Sequence, residues 1–142
     1  MIGLDCNILV QLALADHPAN TVTVTAVNAQ VRAGRSLMVP SSIVTEFLHV
    51  VTDQRRFTPP LTMNEALDWT GDFLAQPKVK VIEPSQKALA QALVWMRQHK
   101  LGRKRILDTH LAAILHTSGI SGLLTSNPSD FALFGVIQTV AP

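Results

Sequence analysis

The chain has 142 residues, with 12 Lys and Arg against 10 Asp and Glu and a formal net charge of +2. Hydrophobic residues make up 47% and charged residues 15%, well under the usual quarter, which excludes a charge-extended, disordered chain. A chain near this length buries roughly 70% of its unfolded surface, so one domain over residues 1–142 is expected to fold without disulfide or metal staples.

The elements read in chain order as follows. Met1 to Leu4 is a buried strand ending at Asp5. Apolar spacing predicts helices over 7–15 and about 19–33, the second closed by Gly34. Leu37-Met38-Val39 is a second strand ended by Pro40. Ser41 or Ser42 is the expected cap of a helix reaching Thr52, with Ile43, Phe47, Leu48 and Val51 on one face. Arg55-Arg56-Phe57-Thr58-Pro59-Pro60 is the densest loop signal and is too short to divide the chain. Thr62-Met63-Asn64-Glu65 is a capping box that opens a helix to about Ala75. Val79 to Ile82 is a third strand. Ser85 starts a helix through His99, with Leu89, Ala92, Leu93 and Met96 expected inward. Residues 106–117 form another helix, stopped by Gly119. Leu123 to Thr125 and Val136 to Val140 are the last strands.

Five short strands joined mostly through helices place the chain in the α/β class. The expected architecture is a mostly parallel five-stranded sheet flanked by helices in three layers. Ligands of such folds sit at the carboxyl ends of the strands, near a topological switch point.

Several function classes fall away. Cys6 is the one cysteine, so a disulfide framework and a thiolate zinc centre are excluded. No apolar run approaches ~18 residues, so no membrane partner is expected. Ala13 and Ala15 are spaced like a signal-cleavage site, but the start lacks basic residues and Asp5 interrupts the apolar run. A cytoplasmic location is expected. The metalloprotease, P-loop, dinucleotide, nucleophile-elbow and EF-hand motifs are absent. His17, His49, His99, His110 and His116 have no metal-ligand spacing and read as surface or packing residues.

In a chain so poor in acids, the position of each carries information. Asp5 follows the first strand, and Glu46 lies one turn into the helix after the second. Asp108 opens the helix at 106–117, and Asp130 follows the strand at 123–125. Each has a plain alternative: helix capping for Asp5 and Asp108, solvent exposure for Glu46, a turn for Asp130. If the four converge, they need a cation, and a hard divalent ion with oxygen ligands, Mg²⁺ or Mn²⁺, fits best. Such a centre activates water for in-line attack on a phosphodiester.

Four segments carry a family resemblance: Ile2-Gly3-Leu4-Asp5-Cys6-Asn7-Ile8-Leu9, Ser42-Ile43-Val44-Thr45-Glu46-Phe47-Leu48, Leu107-Asp108-Thr109-His110-Leu111-Ala112-Ala113 and Leu124-Thr125-Ser126-Asn127-Pro128-Ser129-Asp130-Phe131. In this order the chain resembles PIN-domain ribonucleases of the VapC toxin type, over essentially its whole length. The resemblance implies a PIN-like fold. It implies that Asp5, Glu46 and Asp108 match the family's first three acids, Asn7 its Asn after the first Asp, and Thr125 its Thr near the last acid. There are two departures. Cys6 stands where the family commonly has Thr, and is expected to point away or pack as a small apolar group. Asn127 stands where the family often has an acid. Asp130 is therefore expected to supply the fourth carboxylate and join Asp5 and Asp108 on the metal, with Asn127 as the alternative oxygen donor.

Arg97, Lys100, Arg103, Lys104 and Arg105 lead directly into Asp108. They are expected to neutralise RNA phosphates, against the plainer role of a solvated helix end. Arg55 and Arg56 are a second basic patch, or simply a surface turn. With five Phe, two Trp and no Tyr, an aromatic base-stacking platform is not expected. The expected function is thus a metal-dependent endoribonuclease with RNA as substrate. The resemblance further implies a toxin cutting structured RNA such as tRNA or rRNA, a cognate antitoxin and a homodimer. The alternatives are a non-catalytic RNA-binding scaffold on the same fold, or a metal-dependent phosphatase or nuclease acting on DNA.

Overall fold

The computed structural model describes residues 1–142. Five strands, β1 (Ile2–Leu4), β2 (Leu37–Pro40), β3 (Val79–Ile82), β4 (Gly122–Leu124) and β5 (Gln138–Val140), form one sheet in the order β3-β2-β1-β4-β5. Every pairing is parallel. The central strands β1 and β2 are buried at every residue, as unbroken apolar runs of a covered parallel sheet should be. At the edge, β3 buries Val79 and exposes Lys80 and Val81. A lysine on an edge strand discourages pairing with another chain.

Six helices flank the sheet: α1 (Cys6–Ala13), α2 (Asn20–Arg32), α3 (Ser41–Val51), α4 (Met63–Leu74), α5 (Gln86–Gln98) and α6 (Ile106–Thr117). Helix α1 packs on α2 and α3, α3 on α4 and β2, and α4 on β3, while α5 packs along α6. Gly3 allows α6 to press on β1, since a Cβ there would stand 2.6 Å from Leu115 Cδ2. Phe47 of α3, Phe131 and the β1 and β4 side chains are fully enclosed in the core.

The capping box forms in both directions, with the Glu65 N–H to Thr62 Oγ1 and the Thr62 N–H to Glu65 Oε1 each at 3.2 Å. Ser85 caps α5 by accepting from the Ala88 N–H at 3.1 Å. Gly34 and Gly119 close α2 and α6 with φ of +80° and +73°, a conformation that costs other residues a Cβ clash.

Some expectations change. Pro40 holds the N-cap position of α3 without a side-chain bond, and the Ser41 hydroxyl donates instead to Glu83 at 2.6 Å. On α5 the inward face is Ala88, Ala92 and Trp95; Leu89 and Leu93 are exposed and Met96 is half-buried. The basic run 103–105 is a short 3-10 turn, and the last strand begins at Gln138 rather than Val136.

The topology sets the position of the site. The chain runs outward from β1 to β2 and β3, then returns to lay β4 on the other side of β1. The carboxyl ends of β1 and β4 therefore flank a switch point, where neighbouring connections diverge and leave a crevice. Asp5 and Thr125 are the first residues past those two ends.

Candidate active site

The site is built on Asp5. It caps α1, its Oδ1 accepting the Cys6 N–H at 2.7 Å. Its Oδ2 accepts from the Thr125 hydroxyl at 2.6 Å and from Asn7 Nδ2 at 2.8 Å. The Asp5 N–H donates to the Leu124 carbonyl at 3.1 Å, fixing the carboxylate to the β1–β4 pair. Capping and a functional role are thus not alternatives here. One oxygen serves the helix while the rest of the carboxylate is held by side chains from separate segments. Thr125 is fully buried, and its Oγ1 also receives the Asn127 N–H at 3.0 Å. Asn7 Oδ1 accepts the Ser126 N–H at 3.2 Å, tying the start of α1 to the segment after β4.

Glu46 and Asp108 face the same cavity of about 320 Å³, whose wall also includes Asp5, Cys6, Asn7, Gln11, His17, Arg56, Phe57 and Asn127. Burial raises the Glu46 carboxyl to about 6, and the charges of Asp5 and Asp108 add to the rise. Burial likewise raises Asp108 to about 6, reinforced by Asp5 and Asp130 and opposed by Arg105. Asp5 is also raised, chiefly by burial, against its three hydrogen bonds. These carboxylates feel one another in a partly dry crevice, so the set favours a proton or a cation. No three His, Cys, Asp or Glu side chains are drawn in closely enough to enclose an ion by themselves.

The family model for the PIN domain matches residues 2–135. The chain belongs to the PIN-domain family. PIN domains are nucleases that generally use divalent metal ions. None of the curated proteins matches the sequence. Among solved structures, the fold resembles VapC20 of Mycobacterium tuberculosis, a sarcin-ricin loop cleaving toxin. The TM-score is 0.69 at 15% identity, over 96% of this chain and 97% of that one. It resembles a chain of VapBC2 from Rickettsia felis bound to promoter DNA, with TM-score 0.71, 16% identity and coverage of 100% and 99%. It also resembles a chain of a toxin–antitoxin complex from Klebsiella pneumoniae, with TM-score 0.66, 17% identity and coverage of 99% and 96%.

This PIN domain brings Asp5, Asn7, Glu46, Asp108 and Asn127 to one cavity and sets Thr125 beneath Asp5. Asp130 is half-buried in the 3-10 turn Pro128–Asp130 and lies outside the cavity wall, although its charge reaches Asp5 and Asp108. Cys6 is buried as expected but does not point away. Its thiol meets the Glu46 carboxylate, and burial pushes its pKa well up. Arg97, Lys100, Arg103 and Lys104 are exposed and absent from the cavity wall. Arg105 turns inward: its guanidinium donates to the Asp130 carbonyl and its Nε stands 3.9 Å from Asp108 Oδ2.

Gln11 is the residue that sequence reading passed over. It is buried, its Nε2 donates to Ser126 Oγ at 2.8 Å, and its Oε1 accepts from Thr23 Oγ1 at 2.7 Å. The available signal was a polar residue four after Asn7, on the same face of an otherwise apolar helix.

Proposed function

We propose that this PIN domain is the toxin of a toxin–antitoxin pair. It acts as an Mg²⁺- or Mn²⁺-dependent endoribonuclease that cuts structured RNA such as tRNA or rRNA and so arrests growth. The observation that carries the reading is the Asp5 carboxylate, buried at the β1–β4 switch point and sharing a cavity with Glu46 and Asp108. The similarity in fold to VapC20 and VapBC2 supports the same reading.

The donor set fits a hard divalent ion. The donors are oxygens, and burial together with the charges of neighbouring acids raises Asp5, Glu46 and Asp108, a condition that a bound cation would relieve. Mg²⁺ keeps several waters and needs only one or two protein carboxylates, so an all-protein cage is not required. Asp5 and Asp108 would hold the ion. Asn127, in the cavity wall, is better placed than Asp130 for direct contact, leaving Asp130 to act through its charge. When bound, the metal supplies a hydroxide-generating, charge-neutralising centre for attack on a phosphodiester. Glu46, at about 6, is suited to accept a proton near neutral pH. Thr125 and Asn7 hold Asp5 in one orientation, and Asp5 needs that support to act as a ligand. A cognate antitoxin and a homodimer belong to the proposal, as does a cytoplasmic location. No helix is long and apolar enough to cross a membrane.

The test is cleavage of total tRNA and rRNA by the purified chain in Mg²⁺ or Mn²⁺, beside a chelated control and Asp5→Asn. The proposal expects discrete cuts with metal, none with chelator, and strongly reduced cutting by the variant. Undiminished cutting by Asp5→Asn would sink the metal-site assignment. Binding of RNA without cleavage by the wild type would assign a scaffold role instead.

A further inference from the structure

The loop between α3 and α4 puts a cation into the acid cavity. Arg56 is the only Lys or Arg in its wall. Asp53 explains how it is held. The Asp53 carboxylate accepts the Arg55 N–H at 2.9 Å and the Arg55 guanidinium through two nitrogens at 3.2 Å each. That occupies Asp53 with Arg55 and leaves Arg56 a longer contact, Nε to Oδ2 at 3.7 Å. The Arg56 and Phe57 N–H groups donate to the Asp53 carbonyl at 3.0 and 3.2 Å, and Phe57 packs against the core. The loop is thus tied down around Arg56 while its side chain stays 60% exposed. Its charge reaches into the cavity and opposes the rise at Glu46. Yet Arg56 makes no ion pair with Asp5, Glu46 or Asp108. A guanidinium with free donors beside an acid cluster offers an RNA backbone the one cationic side chain in a wall that carries three carboxylates.

We propose that Arg56 is a substrate-positioning residue that grips a backbone phosphate of the RNA at the cavity holding Asp5, Glu46 and Asp108. This rests on the ribonuclease reading and adds a residue to it. The exposed Arg97, Lys100, Arg103 and Lys104 lie outside the cavity, so they attract RNA without setting its register.

The test uses Asp5→Asn to separate binding from cutting. A fluorescein-labelled stem-loop RNA is titrated with D5N and D5N/R56Q in Mg²⁺ over a range of salt. Kinetics are measured in parallel for the wild type, R56Q and R56K. The expected result is an RNA affinity about tenfold or more weaker in D5N/R56Q, and a log–log salt slope smaller by about one. R56Q should raise KM, R56K should recover part of the loss, melting temperature should stay that of the wild type, and Mn²⁺ affinity should not fall. Equal affinity and salt slope in the two D5N proteins would overturn the proposal. So would a loss of affinity accompanied by early melting, which would assign Arg56 a structural role. If the wild type cuts no RNA, the ribonuclease reading fails by itself, and the binding comparison still decides for or against Arg56.

Discussion

Two cavities at opposite ends of the sheet make an instructive pair. The larger, about 490 Å³, lies beside Leu37 and Val79 at the starts of β2 and β3. Trp69 and Phe73 of α4 form part of its wall, stacked with ring centroids 5.0 Å apart. The smaller, about 320 Å³, opens past the ends of β1 and β4 and carries the buried Asp5 with the half-buried Glu46 and Asp108. By size and apolar lining the first is the better ligand pocket. Strand polarity and charge point to the second, because parallel strands and a topological switch open the crevice at their carboxyl ends. Raised acid pKa values occur only there. If the proposed function holds, convergent charge at a strand end outweighs cavity volume as a marker of chemistry.

Substitutions separate the two ends. Asp5→Asn should lower RNA cleavage by about 10²–10³-fold, measured as initial rates on a single RNA, because a hydrogen-bonded, buried ligand is lost. Thr125→Val keeps the shape but removes the 2.6 Å bond to Asp5, and should cost about 10–100-fold in activity or metal affinity. Trp69→Ala should leave cleavage per folded molecule unchanged while lowering stability by about 2–3 kcal/mol in denaturant titrations. That is less than a fully enclosed aromatic would cost, because Trp69 is half-buried. A loss of activity in this variant with stability intact would join the two ends functionally and break the contrast.

The pH dependence gives the smallest effect and a definite sign. Glu46 and Asp108 rise from 4.5 and 3.8 to about 6 on folding. Between those values the folded state binds more protons than the unfolded one, so metal-free stability falls as pH rises through about 4 to 6. The melting temperature in chelator should be higher at pH 5 than at pH 7.5, and Mg²⁺ should narrow the gap. Cleavage should fall as pH drops through about 6, where protons compete with the metal. A melting temperature without chelator effect and flat with pH would contradict the electrostatic account.

Much of this was legible from local chemistry. Strand-end and helix-start positions single out Asp5 and Asp108, the place after β2 singles out Glu46, and the three share one cavity; short-range signals give the N-caps of α4 and α5. What escaped depends on contacts distant in sequence. On α5, two apolar stripes one residue apart satisfy the same helical period, and side-chain size alone favours Leu89 and Leu93 over the stripe of Ala88, Ala92 and Trp95. Close packing of α5 on α6 selects the face with the small alanines. Ser41 lies next to a residue 42 positions away, and Glu83 takes the hydroxyl that capping would have used. Arg105 reads as one more exposed cation until Asp130, 25 residues on, receives it. Whether Asn127 or Asp130 borders the cavity depends on the turn at 128–130, which periodicity does not resolve.

The central claim of the proposal is that Asp5 and Asp108 hold a divalent ion in the cavity they share with Glu46. Calorimetric titration of Mn²⁺ into the wild type and Asp5→Asn, at pH 7.5 and 5.5, tests it most directly. The account predicts saturable binding to the wild type at pH 7.5, weaker binding at pH 5.5 and loss of that binding in Asp5→Asn. Equal Mn²⁺ affinity in the two proteins at pH 7.5 would contradict it.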